Sequence, residues 1–308
     1  MSRLADYQSR LVWKLVENRI QALPEPDFEG KQPVFLLFTP RTGSKHFLGL
    51  LESIPGARFD FEILEGVHKY LSRMYFGGPL RYLVKRSVAD RVQQMKLGPH
   101  FLRPTFGSPL FSSNSVCLSY IGHCLEALDS NICAVKFQYE HLQLGGVSPT
   151  DLHEAFVNAR FVVLYRRSLS RQLVSDVMRH LTGEAGWRAN RSYRESRKTV
   201  CLDRAKIRSY FEAVRAINEE WLKLPFLADR GTVVCYEDLC ENPQSTFERS
   251  IFPLLGVSGI PVVNNRFRKQ TNRPIKEIVE NYDEVADLLE GPLSIQEFEN
   301  EPAPALYG

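Results

Sequence analysis

The chain lacks the paired thiols of a zinc module or a dithiol oxidoreductase. Its six cysteines (Cys117, Cys124, Cys133, Cys201, Cys235 and Cys240) contain no C-x-x-C pair, and none joins a Cys/His cluster with zinc-type spacing. They are expected to be reduced thiols of a cytoplasmic protein. No apolar run approaches the length of a membrane span, so no integral span is expected. The opening MSRLADYQSR has no apolar core of a signal peptide. Net charge is also scarce: +3 over 308 residues is too little to imply nucleic acid, so any anion site must come from local clustering. No carboxylate cluster suggests a metal, and no internal repeat or low-complexity tract is present.

What is there suits an ordinary soluble enzyme, with 44% apolar and 24% charged residues. A chain of this length buries roughly 75% of the surface that its unfolded form exposes. Leu4, Leu11, Val12, Leu15, Val16 and Ile20 fall at helical spacing, which predicts an amphipathic N-terminal helix over 1–22. Pro33 to Phe38 then reads as a buried strand, Ser44 to Ser53 as a short helix and Ala57 to Phe61 as a second extended piece. Residues 66–116, with FGGPL and LGPHFLRPTFGSP, form an excursion of the kind that sets substrate specificity.

Beyond it, helix and strand alternate: SYIGHCLEAL, ICAVKF, DLHEAFVNA, RFVVLYR and LSRQLVSDVMRHL. A basic stretch, GWRANRSYRESRK, precedes a long helix from about Leu202 to Leu224. Strand GTVVCYE, helix NPQSTFERSIFPLLG and a last helix from Ile275 to Leu289 complete the series. Apolar strands separated by helices predict an α/β fold, a parallel sheet covered on both faces, and a single domain over 1–308.

The strand PVFLLF runs into TPRTGSKH, a strand-to-helix junction where backbone N–H groups can converge on a phosphate or sulfate. Gly43 permits close approach, and Ser44 can donate a hydrogen bond and cap the helix. Arg41 and Lys45 place positive charge on either side. An ATP loop would read G-x-x-x-x-G-K-[ST], but Phe38 occupies the first glycine position and Ser44 separates Gly43 from the lysine.

Pro-Arg-Thr-Gly-Ser resembles the 5′-phosphosulfate loop of sulfotransferases that use 3′-phosphoadenosine 5′-phosphosulfate (PAPS). FVVLYRRSLSRQLVS resembles that family's 3′-phosphate element, with Arg167 at the strand end and Ser175 eight residues on. Helical geometry puts Ser168, Arg171 and Ser175 on one face and Leu169, Leu173 and Val177 on another. VVCYEDLCENP and FRKQTNRPIKEIVENYDEV resemble two later segments of bacterial members. The matched pieces follow family order and leave the middle excursion unmatched.

The resemblance implies the P-loop-like sulfotransferase fold and sulfuryl transfer from PAPS, without a metal, to a hydroxyl of a carbohydrate, glycolipid or other small acceptor. It implies Arg41, Thr42, Gly43, Ser44, Lys45, Arg167 and Ser175 as nucleotide contacts, with Arg268 and Lys269 closing over the nucleotide. Arg41 and Lys136, the latter at the end of ICAVKF, are candidates for the leaving phosphate; the alternative for Lys136 is a snorkelling side chain at a sheet rim. Glu62 is the first candidate for the base that takes the acceptor proton, followed by Glu65, His68 and His123. Two other readings stay open at this point, a nucleoside-triphosphate-dependent kinase and a non-catalytic nucleotide-binding protein.

Overall fold

The computed structural model describes residues 14, 17, 18, 20–60, 111–182, 199–263 and 273–298. Glu62, Glu65, His68, Arg268, Lys269, the basic stretch 186–198, most of the N-terminal helix and most of the excursion lie outside the described residues. The strands are β1 (Gln32–Phe38), β2 (Ala57–Asp60), β3 (Ile132–Gln138), β4 (Arg160–Tyr165) and β5 (Gly231–Cys235). They form one parallel sheet in the order β2-β3-β1-β4-β5, flanked by helices as the alternation predicts. The order changes direction at β1, and in such sheets ligands gather beyond the carboxyl ends of the strands at that point.

The fold divides into two compact units, the first drawn from Met1–Leu37 and Gly56–Arg160 and the second from Phe38–Pro55 and Phe161–Gly308. In the first, β2 and β3 pair in parallel from Ala57↔Ile132 to Asp60↔Val135. Phe35 of β1 is fully buried and packs against Phe137 and, edge to face at 5.3 Å, against Phe156. Helix α1 (Ser44–Leu51) belongs to the second unit, and α2 (Asn114–Glu126) to the first. Residues 114–116 of the expected excursion are thus the start of α2, which Ser113 caps by accepting from Val116 N. Lys31, just before β1, donates its ammonium to the carbonyls of Leu125, Glu126 and Leu128 at the other end of α2. A helix that the sequence reading passed over, α3 (Tyr139–Gly145), follows β3, and α4 (Pro149–Ala155) is opened by a capping box between Ser148 and Asp151.

The second unit pairs β4 with β5 in parallel, Phe161↔Gly231 to Tyr165↔Cys235. Helices α5 (Leu169–Thr182) and α6 (Arg204–Leu222) bury Leu169, Leu173, Phe211, Val214 and Trp221. After α7 (Leu227–Arg230), the expected strand GTVVCYE stops two residues early: Tyr236 and Glu237 begin helix α8 (Tyr236–Glu241). Glu237 and Asp238 in the first turn favour that helical start. The expected helix over 242–256 is α9 (Pro243–Thr246), a π turn (Phe247–Ile251) and α10 (Phe252–Leu255). Pro253 has no N–H to give to the preceding turn, which accounts for the π turn before it. Helix α11 (Tyr282–Leu289) is shorter than predicted, with only a single 3-10 turn at Ile275–Glu277 before it. No helix among the described residues is long and apolar enough to cross a membrane.

Candidate anion site at the carboxyl end of β1

Everything from Phe38 to Ser44, together with β4 from Phe161 onward, α5 and α8, lies in the second unit. The loop after β1 makes two left-handed turns, at Arg41 (φ 67°) and at Gly43 (φ 85°). Gly43, not Ser44, is the N-cap of α1, and no side chain caps this end. No acidic residue stands in its first turn. The backbone amides of Thr42, Gly43 and Ser44 have no hydrogen-bond partner among the described residues, so the positive end of α1 and these donors remain for an anion. The Thr42 hydroxyl turns back to donate to Thr39 O at 3.0 Å and braces the turn. Lys45, the second residue of α1, is half-buried.

Side chains of α5 and of Arg166, the residue after β4, hold this loop. Arg41 Nε donates to Ser175 Oγ at 3.0 Å, joining two residues 134 positions apart. Gln172 Nε2 donates to Thr39 Oγ1 and Pro40 O, and Arg166 Nη1 donates to Arg41 O at 3.3 Å. Burial holds the Arg41 guanidinium below its ordinary range; the Arg179 charge adds to this, and Asp176 opposes it. Thus the structure brings together Arg41, Thr42, Gly43, Ser44 and Ser175.

The segment Tyr236-Glu237-Asp238-Leu239 organises the cations. The Tyr236 ring lies where a Cβ on Gly43 would stand, 2.2 Å from it, and the Arg166 guanidinium covers the ring at 4.9 Å. Burial pushes the Tyr236 hydroxyl up, as does its hydrogen bond with Cys240. Glu237 accepts from the amides of Arg167 (2.8 Å) and Ser168 (3.3 Å) at the start of α5, and Arg166 Nε lies 3.5 Å from its Oε1. Leu239 is fully buried and anchors the segment.

Arg167 is placed differently from Ser175. Its Nη2 donates to Asp238 Oδ1 at 2.8 Å, a bond that raises its already high pKa, and its Nε lies 3.7 Å from Glu297. A C-terminal strap meets the same strand end: Gln296 donates from its backbone to Arg167 O and from its side chain to Arg166 O. Asn218 of α6 in turn donates to Gln296 Oε1.

Lys136 lies in the first unit and is 1% exposed, which rules out the snorkelling alternative. His123 is also buried there, 3.1 Å from Glu126 on its own helix. It sits in the last turn of α2, whose end Lys31 binds. The described residues contain no group of three or more His, Cys, Asp or Glu able to hold a metal ion.

The description "sulfotransferase family" fits residues 33–258, from β1 to just beyond α10 and about three quarters of the chain. The chain belongs to the sulfotransferase family. None of the curated proteins matches it. Among solved structures it is similar to the sulfotransferase domain from the Synechococcus PCC 7002 olefin synthase, at 15% identity and a TM-score of 0.43, covering 90% of this chain and 91% of that one. It is likewise similar to sulfotransferase STF9 from Mycobacterium avium, at 13% identity and a TM-score of 0.45, covering 95% of this chain and 82% of that one.

In this sulfotransferase the sequence reading missed Arg166, Gln172, Tyr236 and Gln296. Gln172 belongs to neither of the two helix faces that the sequence pattern defines, yet Ser170, Gln172 and Asp176 are all buried. The signal for Tyr236 was in the sequence, in the YEDL segment, but its contact partner was legible only from the fold.

Proposed function

We propose that the whole chain is one cytoplasmic, PAPS-dependent sulfotransferase domain acting on a hydroxyl of a carbohydrate, glycolipid or other small acceptor. The observation that carries this reading is the hydrogen bond from Arg41 to Ser175, which links the loop resembling the 5′-phosphosulfate element to the helix resembling the 3′-phosphate element. The donor set suits a nucleotide with anions at both ends: three amides at a helix start that have no partner among the described residues, a serine hydroxyl and flanking guanidinium groups.

When bound, PAPS supplies a sulfuryl group already joined to a phosphate that can leave. Thr42, Gly43 and Ser44 hold the 5′ end; Arg41 and Lys45 offset the charge that develops there, with Lys136 as a further cation. Arg167 and Ser175 hold the 3′-phosphate, Arg167 giving up its contact with the exposed Glu297 to do so, and Arg268 and Lys269 close over the nucleotide. Glu62 takes the proton from the acceptor hydroxyl. Residues 66–116 shape the acceptor side.

The test is a comparison of thermal shifts. Adenosine 3′,5′-bisphosphate is expected to raise the Tm substantially and ATP with Mg2+ to do little, since a ligand that binds only the native state stabilises it. The reverse preference refutes the reading and favours a kinase. Binding without turnover of labelled PAPS across acceptor extracts favours a non-catalytic protein. Glu62→Gln is expected to abolish transfer and keep nucleotide binding; near wild-type transfer removes Glu62 as the base.

A further inference from the structure

Gln172 is fully buried inside α5, where a primary amide is costly unless paired. It uses both hydrogens on the loop, one on Thr39 Oγ1 at 2.9 Å and one on Pro40 O at 2.7 Å. Pro40 O can only accept, which fixes which end of the amide faces it. The residue that follows, Arg41, has the one positive φ of any non-glycine among the described residues. Such a conformation persists only where its surroundings over-determine it.

The two peptide planes flanking Arg41 are each pinned. Gln172 holds the carbonyl before it and Arg166 holds the carbonyl after it. In a trans peptide the C=O and the next N–H point opposite ways. Drawing Pro40 O and Arg41 O toward α5 and β4 therefore turns the amides of Arg41 and Thr42 to the other side of the loop. One helical step on, Ser175 holds the Arg41 side chain, so α5 fixes both the backbone and the guanidinium of one residue.

We infer that Gln172 is a positioning residue for sulfuryl-donor binding: its double donation imposes the left-handed turn at Arg41 that aims the loop amides at the anion. The inference rests on the loop being the anion site of the function proposed above. A Gln172 that merely fills space would be replaceable by methionine, which has similar volume and no donor.

The experiment is a double-mutant cycle of Gln172→Met with Arg41→Gly, since glycine adopts a left-handed backbone freely. Two quantities are read: Tm without ligand, and the Kd for adenosine 3′,5′-bisphosphate. Gln172→Met is expected to weaken nucleotide binding about tenfold with Arg41 in place, the scale of one lost hydrogen bond, and less than about threefold in the Arg41→Gly background. Arg41→Gly is expected to change Tm more favourably with Gln172 present than in the Gln172→Met background, by about 2–4 °C, because only the pinned loop stores the strain. Equal costs in both backgrounds, or no cost, overturn the inference. Gln172→Glu, which sets an acceptor against Pro40 O, is expected to repeat the pattern of Gln172→Met. Failure of both Gln172 variants to fold marks a general core requirement and also overturns it. If the wild-type chain does not bind adenosine 3′,5′-bisphosphate, the proposed function fails, while the Tm cycle still decides the role of Gln172.

Discussion

Replacing Gly43 with alanine tests the loop architecture most directly, because two separate costs meet at one atom. The first is conformational: a φ of 85° costs an L-residue roughly 1–2 kcal/mol. The second is steric, since the new Cβ would stand 2.2 Å from both Cδ2 and Cε2 of Tyr236. That ring cannot simply swing aside. It lies half-buried beneath the Arg166 guanidinium, and His46 packs edge to face against it at 6.3 Å. Overpacking of this kind costs about 1–3 kcal/mol, so the two together come to roughly 2–5 kcal/mol. Gly56 supplies the control, having φ of 78° and nothing within 4 Å of a built Cβ. Gly56→Ala should therefore show the conformational cost alone. Chemical unfolding of both variants measures the difference, and adenosine 3′,5′-bisphosphate titration reads the loop itself. Gly43→Ala is expected to be about 1–3 kcal/mol worse than Gly56→Ala, and Tyr236→Ala in the same chain should recover much of that difference. Equal losses for the two glycines would refute the argument that Tyr236 is the loop's backstop.

Three further outcomes follow from the same contacts. Glu237→Ala removes the acceptor for two amides at the start of α5 and the carboxylate facing Arg166, and is expected to lower stability by about 1–3 kcal/mol in urea unfolding. Arg166→Lys is expected to cost about 1–3 kcal/mol, because an ammonium cannot cover the Tyr236 ring, reach Arg41 O and face Glu237 together; a change below about 0.5 kcal/mol contradicts this. His46, beside the loop, has its pKa lowered by burial, which a backbone hydrogen bond with Leu239 only partly opposes. The folded state therefore prefers the neutral ring: its contribution is complete above the unfolded value near 6.5 and is lost as pH falls through that value toward the folded pKa. Stability measured from pH 8 down to about 5 should thus fall less in His46→Asn than in wild type.

The parallel sheet, the strand-to-helix loop and the family were legible because each depends on local pattern. PVFLLF followed by TPRTGSKH encodes a buried strand, a turn and a helix start within fifteen residues, and the eight positions from Arg167 to Ser175 run from just past the end of β4 into α5. What was not legible depends on contacts between distant segments. Nothing local marks Gln172 as different from its neighbour Arg171, yet one is buried on the loop and the other reaches Arg273 O. Tyr236 and Glu237 extend an apolar strand in sequence, but two acidic residues in a row favour a helix start once the chain leaves β5.

The adjacent arginines show why spacing alone cannot assign a phosphate ligand. Arg166 and Arg167 leave the same strand end, and only Arg167 has the eight-residue spacing to Ser175. In the fold it is Arg166 that is buried against the loop, while Arg167 is turned to Asp238 and Glu297. Alternation along an extended chain sends neighbouring side chains to opposite sides, so one arginine builds the loop and the other stays reachable by an incoming anion. Asp238 then does for Arg167 what Glu237 does for Arg166, holding a cation whose neighbours are also cations. On this arrangement Arg166 variants should lose stability first and nucleotide binding as a consequence. Arg167 variants should lose nucleotide binding with the fold intact, because a partly exposed guanidinium contributes little to stability through its surface pair.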